Sequence, residues 1–90
     1  MIIKNIYEKK LPIMNNKILK YNLCEGEEGN RTNYGIQLTE DTDKIHREEI
    51  IWDISSDKNF VNNLLMYLSE NVIDTVHFRD IIEDYIQADF

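Results

Sequence analysis

The apolar residues of this 90-residue chain change their period once, near Ile54, and that change limits the folds open to it. Before Ile54 they recur at every second position, as on half-buried strands. After it they recur every three or four positions, as on amphipathic helices. Strands first and helices last predict an α+β class: an antiparallel four-stranded sheet, a meander, followed by two C-terminal helices packed on one face. The length suits a single domain, 1–90, with the sheet over about 1–54 and the helix pair over about 56–88.

Four stretches carry the strand pattern. Ile2 to Leu11 places Ile2 and Ile6 on one side and Ile3, Tyr7 and Leu11 on the other. Pro12 removes a ladder donor and Asn15-Asn16 supplies a turn. From about Lys17 to Cys24, Leu19, Tyr21 and Leu23 share a face. Glu25 to Asn33, with Gly26 and Gly29, reads as a long polar loop. Tyr34 to Thr39 aligns Tyr34, Ile36 and Leu38, and Glu40 to Asp43 turns the chain. Ile45 to Ile54 directs Ile50, Trp52 and Ile54 inward. The short gaps between these runs favour consecutive hairpins.

Beyond Ile54, Ser55, Ser56 and Asp57 offer N-cap oxygens. Phe60, Val61, Leu64, Leu65, Leu68 and Val72 form one helical stripe, with Asn71 placed for a left-handed cap. Asp74 is the N-cap expected for a second helix, whose stripe is Phe78, Ile81, Ile82, Tyr85 and Ile86. Neither helix is long enough to persist alone, so both stripes must be buried.

Composition excludes several classes. With 42% hydrophobic and 30% charged residues the chain is expected to fold. Its longest apolar run, Leu64 to Leu68, is far too short for a membrane span, so no membrane partner is expected. Met1 to Lys10 shows no apolar signal core, and the single Cys24 rules out an internal disulfide; the cytoplasm is the expected compartment. The net charge of −7 is unevenly placed: residues 1–22 carry +4 and residues 69–90 carry −5. The acidic end opposes direct nucleic-acid binding. It suits instead solubility, or docking against a basic protein surface.

No catalytic pairing emerges. Nothing in the spacing brings Cys24 to His46 or His77, so Cys24 reads as a small, semi-buried apolar residue. Asp74, His77, Asp80 and Asp84 share a helical face, yet capping explains the first acid, and a tight metal site would recruit a second element. Asp41-Thr42-Asp43-Lys44 lacks the glycine and closing glutamate of a calcium loop. No enzyme activity, metal or cofactor is therefore expected. Tyr67 projects from the polar side of its helix beside Met66, and aromatic and methionine side chains favour interfaces.

Tyr34-Gly35-Ile36, the strand ending in Asp53-Ile54-Ser55, the run Val61, Leu64, Leu65, Leu68, Asn71, and the segment His77 to Ile86 together resemble a family of short uncharacterised proteins. It is a domain of unknown function from clostridia and related anaerobic spore-forming bacteria. The similarity covers roughly residues 34–87. Asp74-Thr75 stands where that family has Ser-Pro, keeping a capping residue and losing the N1 proline. The resemblance implies a bacterial cytoplasmic protein and no particular activity.

Two helices cover one face of a sheet and leave the other. The expectation is therefore a non-enzymatic protein-interaction module, with a homodimer as one form of it. Tyr67, Met66, Tyr7, Ile51, Asp80, Glu83 and Asp84 are the partner-binding residues expected, and Ile3, Tyr7, Ile18 and Ile51 those on the uncovered side. The alternative is an acidic regulator or decoy of a nucleic-acid-acting protein, working through Asp80, Glu83 and Asp84.

Overall fold

The computed structural model describes residues 1–88. Its order is β1 (Ile2–Leu11), β2 (Lys17–Glu28), β3 (Arg31–Asp41), β4 (His46–Ser55), α1 (Lys58–Glu70) and α2 (Phe78–Ala88). The strands form one antiparallel sheet in the order β1-β2-β3-β4, the expected meander. α1 lies across all four strands, and α2 packs beside α1.

The core is the space between α1 and one sheet face. Leu19, Tyr21, Leu23, Ile36 and Leu38 enter it from the central strands, and Val61, Leu64, Leu65 and Leu68 from α1. Phe78 and Ile82 complete it from α2. Each fully buried side chain of this size is worth roughly 1.5–3 kcal/mol. Burial of the two stripes is thus what holds the short helices.

Three sequence expectations give way. Glu25 to Asn33 is no long loop: β2 and β3 remain paired as far as Glu28 and Arg31, joined by Gly29-Asn30. Gly29 takes φ +63° in the first turn position, which a residue without Cβ reaches freely. Glu40 belongs to β3 rather than to the turn, and is buried. In β4, Ile51 faces the core opposite Ile36, while Ile50 and Trp52 lie on the opposite face. The adjacent isoleucines leave the phase of β4 ambiguous. An irregularity then spans Trp52 to Ile54, with Asp53 at φ +59°, and returns Ile54 to the core.

A second bulge acts on β1. Asn5 pairs with Asn22 and Tyr7 with Tyr21, so Ile6 is the extra residue. The side-chain alternation reverses there. Tyr7 and Leu11 consequently pack on the core, whereas Ile3, opposite Cys24, stays on the uncovered face.

The helix ends follow local chemistry. Asp57 Oδ1 accepts from the N–H groups of Asn59 (3.0 Å) and Phe60 (3.4 Å), the expected N-cap. At the other end, Val72 N–H donates to Ser69 O and Ile73 N–H to Leu68 O, a Schellman arrangement. The left-handed residue is Val72, at φ +50°, and not Asn71, at φ −92°. A β-branched residue there is strained by roughly 1–2 kcal/mol. Val72→Gly should therefore raise stability by about 1 kcal/mol after the extra unfolded-state entropy of glycine, and lift Tm by roughly 5 °C. A lower Tm for that variant would show that the exposed valine contributes more by packing than it loses by strain.

Candidate interaction surface

Strand register arranges the open face in rows. Ile3, Cys24 and Gly35 lie side by side, and so do Asn5, Asn22, Gln37 and Ile50. Glu8, Lys20, Thr39 and Glu48 form the next row, and Lys10, Ile18, Asp41 and His46 the last. Trp52 closes the first row from β4. A Cβ built on Gly26 would meet its ring at 2.5 Å, and one on Gly35 would meet it at 2.9 Å. The indole therefore occupies the space that side chains at two glycines would fill. Glycine inside a strand often marks such a close approach, and this was the available sequence signal for Trp52.

The face carries one apolar row near one end, with the Glu28–Arg31 pair beyond it and a longer polar stretch toward the other end. Ile3, Ile6, Ile50 and Trp52 are each about two-fifths exposed, and Cys24 is fully buried among the first row. Burial pushes the Cys24 thiol above its usual pKa, with the Glu48 carboxylate adding to the effect, so the thiolate is disfavoured. Asn22 Nδ2 donates to Gln37 Oε1 at 3.0 Å, and Gln37 Nε2 donates to Glu48 Oε1 at 2.7 Å. His46 Nδ1 donates to Asp41, and its Nε2 lies 3.7 Å from Glu48. The hydrogen bond and charge of Asp41 hold the His46 imidazole above its ordinary pKa. Among the described residues, Asn22 Oδ1 is buried on this face without a donor.

The helix side gathers other expected residues into structure. Tyr67 stacks obliquely on Tyr85 at 5.3 Å, and Tyr85 on Phe60 at 5.7 Å. Tyr67 keeps an exposed edge, as does Met66 beside it. Tyr7 and Ile51 are packed against the core, so the expectation that they lie on the uncovered face is corrected. Their reversal follows from the β1 bulge and from the phase of β4. Asp80, Glu83 and Asp84 are exposed and in no ion pair among the described residues, while Arg79 reaches Glu49 of β4 at 3.8 Å.

A polar junction ties the connector between the helices to the sheet. Glu40 Oε1 accepts from Thr75 N–H (3.2 Å) and Thr75 Oγ1 (3.1 Å), and Lys17 Nζ lies 3.7 Å from Glu40 Oε2. Tyr21 Oη donates to Ile73 O at 2.8 Å. Burial raises the Tyr21 pKa, with Asp74 and Glu40 adding, so the phenol stays a donor. Asp74 Oδ1 accepts from the backbone N–H and the ring Nδ1–H of His77. Burial opposes ionisation of Asp74, but these bonds and the charges of His77 and Lys17 prevail and lower its pKa. Asp74 thus closes the turn over residues 75–77 that precedes α2, and is not the expected N-cap of that helix, which begins at Phe78. His77, His46 and Cys24 sit on three separate parts of the fold, and no cluster of His, Cys, Asp and Glu suited to a metal occurs among the described residues.

A four-stranded meander with both helices on one side defines a small α+β domain with one sheet face left open. The chain belongs to a family of unknown function, DUF6514, whose pattern it matches over residues 2–88. Nothing among curated proteins or solved structures matches it. No helix among the described residues is long and apolar enough to cross a membrane.

Proposed function

We propose that the chain is a non-enzymatic protein-interaction module that binds through the open face of its sheet, in the cytoplasm of a spore-forming bacterium. One observation carries the reading: Ile3 and Trp52 at the two ends of the first row, with Ile50 on the same strand as Trp52, expose apolar surface on a face that neither helix covers. Exposed apolar side chains gathered on the uncovered face of a small domain are the natural core of a contact site. The Gln37–Glu48–His46–Asp41 chain beside that surface supplies a fixed polar rim, the usual surround of an interface core.

The test is affinity capture from native cells with wild type and with Ile3→Thr/Ile50→Thr. This variant keeps β-branched residues in both strands and removes apolar area. A protein held by wild type and lost by the folded variant is the expected result. Equal capture by both overturns the reading. A second reading, an acidic regulator or decoy of a nucleic-acid-acting protein, is favoured by the exposed carboxylates of Asp80, Glu83 and Asp84 on α2. Charge reversal of all three in the same capture separates it, because only that reading predicts loss of the captured protein.

A further inference from the structure

We infer that the open face seats a second copy of this chain, turned over about a two-fold axis that runs along the strands between β2 and β3. The inference rests on the interaction-module reading and names its partner. A two-fold interface is made by the same patch on both copies, so the patch must complement itself. That requirement can be read row by row.

An axis along the strands lays β1 of one copy over β4 of the other and β2 over β3. Each row then falls on itself in reverse. The apolar row places Ile3 against the partner's Trp52, and Trp52 against the partner's Ile3. The last row brings Lys10 toward the partner's His46 and Asp41. Beyond the apolar row, Glu28, paired in register with Arg31, comes over the partner's Arg31. The charges agree with this choice of axis. On the β1–β2 half of the polar end, Lys10 and Lys20 outnumber Glu8, which lies within 4.0 Å of both. On the β3–β4 half, Asp41 and Glu48 outnumber the single cation that His46 can supply. The halves are opposite in sign, and the axis along the strands superposes opposite halves. An axis across the strands would put β1 on β1 and carry Ile3 and Trp52 onto Lys10 and His46.

Area sets the strength. Strands of about ten residues rising about 3.3 Å each, four abreast at about 4.8 Å, give a face of roughly 600 Å². Specific interfaces commonly bury about 800 Å² per partner, with weaker ones below that. The pairing expected is accordingly a micromolar dimer, in which aligned sheets pack face to face.

Sedimentation equilibrium on the full chain, from low micromolar to near-millimolar concentration, reads the outcome directly. The apparent mass should climb from 10.8 kDa toward twice that value. Lys10→Glu alone should weaken association about tenfold, because symmetry removes the contact twice. Asp41→Lys alone should do the same, and Lys10→Glu/Asp41→Lys together should recover it. Within one chain β2 separates these two residues, so recovery reports a contact between copies. Circular dichroism checks that each variant is folded. A wild type that stays monomeric throughout overturns the inference. So does a dimer indifferent to Lys10→Glu and to Ile3→Thr/Ile50→Thr. A monomeric wild type that still captures a protein through Ile3 and Ile50 overturns only the second copy and leaves the interaction module standing.

Discussion

Gly35→Ala is expected to cost about 3 kcal/mol, at the upper end of what overpacking a close-fitted site costs. The added Cβ would stand 2.4 Å from Ile51 O and 2.9 Å from Trp52 Cα, both of them backbone atoms of β4. A side chain can turn away, but a paired strand cannot. Relief requires β4 to move off β3, which breaks the ladder beside Ile36 and Ile51 and lifts the indole from the sheet. Gly26→Ala is the matched control. There the new Cβ meets only the far edge of the Trp52 ring, at 2.5 and 2.6 Å, and the ring can swing outward. Its cost should be nearer 1 kcal/mol, mostly lost cover for apolar surface. Urea unfolding ranks the two, and Trp52 emission reports the exposed indole. If Gly35→Ala costs no more than Gly26→Ala, the close approach of β4 to β3 is not the cause, and the account of this bulge fails.

These same positions show where the sequence was readable. The change of period at Ile54 predicted four strands, two helices and their order, because burial of one face imposes a repeat that survives any local irregularity. Asp57 and Asn15-Asn16 were legible for the same kind of reason: their chemistry acts over two or three residues. What was hidden depended on bulges. One extra residue at Ile6 puts Ile3 and Tyr7 on opposite faces, and strict alternation cannot register it. Ile50-Ile51 offers two equally apolar phases, and only the irregularity at Trp52 to Ile54 decides between them. The turn at Gly29-Asn30 was there to be found, since glycine followed by asparagine between two strands is a hairpin signal. Polar residues on both sides hid it. The open face follows from having only two helices, but strict alternation with Ile54 turns Trp52 inward, and only the irregularity in β4 puts it outside. Glu40 is hidden in the sequence because an acid running into Asp41-Thr42-Asp43 reads as part of a turn.

That glutamate carries the second large effect. Glu40 lies on the helix side of β3, one strand pair from Leu19, with only 7% of its surface exposed. It receives the N–H and hydroxyl of Thr75 and the charge of Lys17. Glu40→Ala would leave a mostly buried ammonium without its counter-ion and two donors without an acceptor, and removing one partner of such a pair commonly costs about 3–5 kcal/mol. Glu40→Gln retains an oxygen for Thr75 and loses only the charge, so its cost should fall well below that of alanine. Lys17→Met/Glu40→Gln should regain part of that loss, since the uncompensated charge is then gone. Because Thr75 leads directly into α2, the damage should appear first there: hydrogen exchange in residues 73–88 should quicken in Glu40→Ala while the β2–β3 ladder stays protected. Uniform loss of protection, or a cost below 1 kcal/mol, would mean that the Phe78 and Ile82 contacts alone dock α2. The expected pattern instead makes the Glu40 junction the element that fixes where the last helix lies, and keeps it on the side of the sheet away from the open face.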